Sequence, residues 1–201
     1  MGLSSIYNRQ RSKNLIHSKN ARNLNLPNLV RGNSFDLPYQ AVSSDISFVL
    51  TGEGFLYLCA IKDIVTGEIL GHATSGNLKK ELVINALTNA TAKHSLGSQT
   101  IFHSDRGSQY TSKEFMALVM SYGIKQSFSR IGVPGDNSWS ESFFSCLKRE
   151  RTYFEHFATK DEATDAAGSW IDEFYNTRRL QKRLGYLSPR EYRRAVFAQK
   201  A

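Results

Sequence analysis

From Ser43 onward, short apolar runs alternate with turn residues, and the pattern predicts three strands in quick succession. Residues 47–50 make the first strand, Thr51-Gly-Glu-Gly a turn, and the apolar and aromatic run 55–63 a buried second strand. Residues 65–67 turn the chain into a third strand over 68–75. Strands joined by such short turns form an antiparallel meander. A helix is predicted over 78–94, where Leu82, Ala86 and Leu87, and Val83 and Ala90, recur at helical spacing. A fourth strand spans 99–104. A second helix spans 112–122, with Phe115, Leu118, Val119 and Tyr122 on one face and Gly123 as its stop. A fifth strand covers 124–129, a Gly/Pro loop 130–137, and a third helix 138–152. The last predicted helix, 160–176, opens with the capping pattern Thr159-x-x-Glu162 and turns Ala163, Ala166, Ala167, Trp170, Ile171 and Phe174 inward. Residues 1–40 show little periodicity and read as an extended or poorly ordered arm.

The order β-β-β-α-β-α-β-α defines an α/β fold. Its sheet is mixed and five-stranded, with three antiparallel strands, two more reached through helices, and helices on both faces. The expected division is a basic linker over 1–40, a core over 41–158, and a C-terminal helix and basic tail over 159–201. The length of 201 residues suits one domain with tails. No apolar run is long enough for a membrane span, and the first residues lack an apolar signal core. The chain is therefore expected in a reducing cytoplasm, with Cys59 and Cys146 as buried thiols.

Charge changes the picture because it is uneven. Residues 1–33 carry six basic groups and no acid, and residues 177–201 carry eight basic groups and one acid, within a net charge of +8. Basic flanks around a mildly acidic middle suit a polyanion such as nucleic acid; equally, basic tails can serve only solubility.

Three carboxylates carry the candidate chemistry. Asp45 is expected to open the first strand, and Asp105 to follow the fourth. If those strands are neighbours, the two aspartates lie side by side, each raising the pKa of the other. A divalent cation resolves that conflict, and hard oxygen ligands suit Mg²⁺. A pair of such ions about 4 Å apart can clamp both oxygens of a phosphoryl displacement. Glu141 is the third candidate, although Ser138-x-x-Glu141 also fits a capping box. Lys148, almost two helical turns on, shares its stripe and reads either as a phosphate contact or as a solvated lysine. The hydroxyls and amides after Asp105 read either as phosphate contacts or as a polar loop with a helix cap at Thr111 or Ser112. His103 is expected to be structural.

The stretches HSDRGSQYTS, DNSWSESFFSCLKRE and FYNTRRLQKRLGYLSPREY resemble the catalytic core of bacterial insertion-sequence transposases of the two-reading-frame type. These are relatives of retroviral integrase with a ribonuclease-H-like fold. Thirty-five residues, 106–140, separate Asp105 from Glu141, the family's spacing. The resemblance implies that Asp45, Asp105 and Glu141 are catalytic and bind two Mg²⁺ or Mn²⁺ ions. Water would nick double-stranded DNA at an element end, and the freed 3′-hydroxyl would attack another phosphodiester. Expected DNA contacts are Arg106, Arg130, Asn137, Lys148, Arg178, Arg179, Lys182 and Arg183. The resemblance further implies a bacterial cytoplasmic protein associated with the nucleoid, a homo-oligomer on DNA, and an upstream-frame DNA-binding protein as a further partner.

Two departures from the family pattern stand out: Val42 occupies a frequent tryptophan position, and Gln181 a frequent histidine position. Residues 1–40 resemble only the trailing linker of an upstream recognition region. A non-catalytic relic that binds DNA or a transposase is therefore the alternative to an active core. A ribonuclease-H-like nuclease fits the basic tail less well.

Overall fold

The computed structural model of the protein describes residues 26–200. β1 (Ala41–Thr51), β2 (Gly54–Asp63), β3 (Ile69–Ser75), β4 (Ile101–Ser104) and β5 (Lys125–Phe128) form one sheet in the order β3-β2-β1-β4-β5. β1, β2 and β3 are the antiparallel meander. β4 pairs parallel to β1 and β5 parallel to β4. The parallel connections pass through α1 (Lys80–Lys93) and α2 (Lys113–Ser121).

The first strand begins at Ala41, well ahead of the expected 47, so Asp45 lies inside it and does not open it. The polar sequence Ser43-Ser44-Asp45 masks a strand whose pairing on both edges overrides weak local propensity. Ser43 and Ser44 are fully buried.

Alternation along the strands sorts side chains to the two faces of the sheet. Val42, Cys59, Ile61 and Phe102 pack with Leu82, Ala86, Phe115 and Val119 beneath α1 and α2. Leu58, Ala60 and Ile69 meet the opposite layer. That layer comprises α3 (Ser138–Leu147), which supplies Phe143, Phe144 and Leu147, and α4 (Lys160–Ser169) with the wider turn after it, which supply Ala167, Trp170, Ile171 and Tyr175. Complete burial of a ring such as Phe143 contributes about 2–3 kcal/mol. Gly71 lets α1 approach β3 closely, since a Cβ there would lie 2.6 Å from both Ala86 O and Ala90 N.

α3 continues through a π-type turn over Lys148–Thr152, and α4 through another over Trp170–Tyr175, so both long helices are present near their expected limits. The Thr159–Glu162 capping box forms, with Glu162 N donating to Thr159 Oγ1 at 3.2 Å. The expected basic tail contains a further helix, α5 (Pro189–Lys200). Ser188 caps it, and the Glu191 carboxylate accepts from Ser188 N at 2.9 Å, a signal legible as Ser188-x-x-Glu191. Arg190 and Arg193 tie α5 to the buried Glu68 at 3.4 and 3.0 Å. Asn176 caps the start of β3, accepting from Ile69 N and donating to Ile69 O, each at 2.9 Å.

Residues 26–40 are not a loose arm. Phe128 N donates to Pro27 O at 2.9 Å, Leu29 N to Ser127 Oγ at 2.8 Å, and Val30 is buried. The remainder of the expected arm lies outside the described residues. Cys59 is buried, and burial pushes its thiol up to about 12; Cys146 is only partly buried. Val42 is packed in the core. No helix among the described residues is long and apolar enough to cross a membrane.

Candidate active site

The parallel ladder between β1 and β4 pairs Ala41 with Ile101, Val42 with Phe102 and Ser43 with His103. The same offset carried two residues further sets Asp45 beside Asp105. β4 ends at Ser104, so the aspartates stand where the strands part. Each is anchored by its own backbone neighbourhood. Asp45 Oδ1 accepts from Ile46 N at 2.8 Å, and Asp105 Oδ1 from Gly107 N at 2.9 Å. Glycine fits this turn because a Cβ at 107 would meet Asp105 Oδ1 at 3.0 Å and Gln109 Oε1 at 3.1 Å. The loop then feeds α2, whose cap is Ser112, accepting from Phe115 N.

Buried polar contacts support the pair from below. Ser44 Oγ lies 2.9 Å from the hydroxyl of the buried Tyr110, and Asn137 Nδ2 donates to Ser44 O at 3.0 Å. His103 is fully buried and joins three segments. Its Nδ1 is 2.8 Å from Ser127 Oγ, and its Nε2 is 3.1 Å from Ser129 Oγ and 3.0 Å from Asp136 O. A carbonyl only accepts, so the Nε2 proton is assigned to that bond. Burial lowers the imidazole pKa to about 4, which keeps the ring neutral. The ring thereby ties the loop ahead of α3 to β4 and β5.

α3 lies on the β1 face that carries Asp45. Ser140 Oγ donates to Ser43 Oγ at 2.9 Å. From β2, Lys62 Nζ donates to Trp139 O at 2.8 Å and to Ser142 Oγ at 3.2 Å. Glu141 stands exposed between these anchored residues. The N-cap position of α3 belongs to Asn137 and has no side-chain cap bond, so Glu141 is not half of a capping box.

The electrostatics join the three carboxylates. Burial first, then Asp105 and, more weakly, Glu141, together push the Asp45 carboxyl up to about 7, against the Ile46 N–H and Lys148. Lys148 is held below its ordinary value by burial and drawn back up by Asp45. Among the described residues, no three His, Cys, Asp or Glu side chains are gathered as a ready-made metal cage. The structure thus brings the three acids into one field without closing them around a common point.

The expected DNA contacts fall into several settings. Lys148 flanks the carboxylates, and Asn137 is buried beside them with Oδ1 lacking a hydrogen-bond partner. Arg106 donates to Ser129 O at 3.0 Å and Leu26 O at 3.2 Å. Arg130 forks onto Asp136, at 3.0 and 2.9 Å. Arg179 grips Glu150 and faces the Tyr175 ring. Arg183 reaches Val65 O at 3.2 Å and Gln181 Oε1 at 3.3 Å, while Arg178 and Lys182 are exposed. Sequence reasoning missed Lys62 and the Ser44–Tyr110 pair. A lysine inside an otherwise apolar strand was the available signal for the first; the second joins distant segments and left none.

The mixed five-stranded sheet in the order β3-β2-β1-β4-β5, with helices on its faces, is the ribonuclease-H-like fold of the integrase core domain. That domain's family matches this chain over residues 36–134, and a second integrase core domain family matches over 122–189. The transposase for insertion sequence element IS904 of Lactococcus lactis is 33% identical over 193 residues, spanning 96% of this chain and 76% of that protein. The IS600 uncharacterized 31 kDa protein of Shigella sonnei is 39% identical over 156 residues, 78% of this chain and 57% of its own length. Among solved structures, the HTLV-2 integrase catalytic core domain in complex with magnesium shares the fold at a TM-score of 0.58 and 16% identity, over 78% of this chain and 97% of that one. The chain belongs to the insertion-sequence transposases with an integrase-type catalytic core.

Proposed function

We propose that Asp45, Asp105 and Glu141 form the reaction centre of a DNA strand-cutting and strand-joining enzyme, holding two divalent ions, Mg²⁺ or Mn²⁺. The observation that carries this reading is the convergence of the three acids: Asp105 follows the strand paired in parallel with that of Asp45, the helix of Glu141 is pinned to the same strand, and Asp105 and Glu141 add negative charge to a partly buried Asp45, a combination that a bound cation relieves. The all-oxygen donor set is that of a hard cation. The HTLV-2 integrase core, which has the same fold, was solved with magnesium. Bound ions would supply Lewis acidity and lower the pKa of water.

The side chains of the chain position the reactants. Asp45 and Asp105 sit on paired strands and Glu141 on a helix pinned to β1, so the acids are held by rigid elements. Lys148 would neutralise a DNA phosphate beside them, and Asn137 Oδ1, which lacks an internal partner, would meet the strand or its water. A water oxygen would attack phosphorus and release a 3′-hydroxyl; that hydroxyl would then attack a second phosphodiester and release a new 3′ end. The basic termini would hold double-stranded DNA of the bacterial nucleoid, with a homo-oligomer assembling on it. An upstream-frame partner would add recognition of the element ends.

The test is Mg²⁺-dependent nicking and strand transfer on a duplex carrying the element end, comparing the wild-type chain with Asp105→Asn. The substitution is expected to lower the rate by at least about 100-fold. Activity that survives Asp105→Asn rejects the assigned centre. Inactivity of both forms, with DNA binding retained, favours a relic that only occupies DNA.

A further inference from the structure

Phe48 and Phe55 make an exposed aromatic pair on the part of β1 and β2 beyond Asp45. Their ring centroids are 4.9 Å apart, edge to face, and the residues remain 50% and 49% exposed. Phe48 lies three residues beyond Asp45, roughly 10 Å along β1. In the ladder with β4, β1 is paired only through Ser43, and the next bridge on that edge among the described residues is Thr51 with Phe157, so the edge between them has no strand beside it there. Lys148 spans this edge. Its Nζ is 5.2 Å from the Phe48 centroid, and its charge also acts on Asp45. One cation therefore faces an exposed ring and lies within electrostatic reach of the reaction centre.

A scattered exposed ring needs no explanation. Two exposed rings beside a lysine whose charge also acts on Asp45 are a narrower combination. Single-stranded nucleic acid is held by this pairing, a cation for the phosphate and an aromatic face for the base. We propose that Phe48, backed by Phe55, is a stacking platform for an unpaired base next to the phosphodiester at Asp45, Asp105 and Glu141, with Lys148 moving from the ring to that strand's phosphate. The inference rests on the reading of the cleft as a DNA-cutting centre. A protein or second copy seated on these rings would cover Lys148 and obstruct the cleft, whereas a displaced base leaves the strand where that centre needs it.

The test uses the full chain in the Asp105→Asn form, so that bound DNA stays uncut. A short duplex ending in the element's terminal sequence carries 2-aminopurine beside the cleavage position, either paired or opposite a mismatch. Binding is expected to quench the mismatched probe. Adding Phe48→Leu is expected to abolish the quench and weaken mismatched DNA about tenfold, with less than about a twofold change for paired DNA. Phe48→Tyr should restore both, and thermal melting checks that each variant folds. Equal weakening of both duplexes, or a quench that survives Phe48→Leu, overturns the platform. So does a change in oligomeric mass with mismatch preference untouched, which would mark the rings as a protein contact. If the parent chain binds neither duplex and the wild-type chain cuts neither, the DNA-cutting reading fails and the platform with it. Retained Mg²⁺-dependent cutting without base-dependent quenching removes the platform alone.

Discussion

Replacing Lys62 by methionine tests the energetics beneath α3. Lys62 is 4% exposed, and burial, followed by the positive charge of Arg183, lowers its pKa from 10.5 to about 7. The unfolded chain therefore binds the proton more tightly than the folded one. The resulting penalty is absent above the unfolded value of 10.5, grows as pH falls, and is complete below the folded value of about 7. At pH 7 it comes to about 4 kcal/mol. Lys62→Met keeps an unbranched apolar stem but loses the bonds to Trp139 O and Ser142 Oγ. The loss is softened because Ser142 Oγ donates to Trp139 O at 2.8 Å, so that carbonyl retains a partner. Two hydrogen bonds at about 1 kcal/mol each leave the methionine variant ahead by about 2 kcal/mol at pH 7. From pH 7 to pH 9 the wild-type penalty relaxes by about 2 kcal/mol, so that lead should nearly vanish. Urea unfolding of both proteins at the two pH values measures it. A variant less stable than wild type at pH 7, or a difference that does not change with pH, would refute the reasoning.

Gly71→Ala is expected to cost about 3 kcal/mol, because its Cβ would collide with the backbone of α1 at Ala86 and Ala90 and no flexible side chain can yield. Urea unfolding checks this, and a loss below about 1 kcal/mol would mean that α1 can move away from β3. Tyr110→Phe removes the hydroxyl beside Ser44 Oγ and should cost about 1–2 kcal/mol with little pH dependence below pH 9, since burial raises the phenol well above its ordinary value. Denaturant midpoints at pH 6 and pH 8 give the answer.

Local pattern determined much of this protein. Apolar runs and turns marked the meander, helical spacing marked α1 and α2, and Thr159 with Glu162 marked the start of α4, because each signal arises between residues close in sequence. The spacing of Asp105 and Glu141 and the motifs around them carried the resemblance. The early start of β1 was hidden because Ser43 and Ser44 are buried polar residues satisfied across the fold, by Ser140 and Tyr110. The capping-box reading of Glu141 was local, and only the backbone removed it, by giving the N-cap of α3 to Asn137 without a side-chain cap. Tertiary structure alone decided that β4 runs parallel beside β1, that α3 is pinned across them, and that Lys62 lies beneath it. Periodicity records which side of an element is buried, but not which distant element buries it. Sheet order supplied that partner, and with it the charge that Asp105 and Glu141 impose on Asp45.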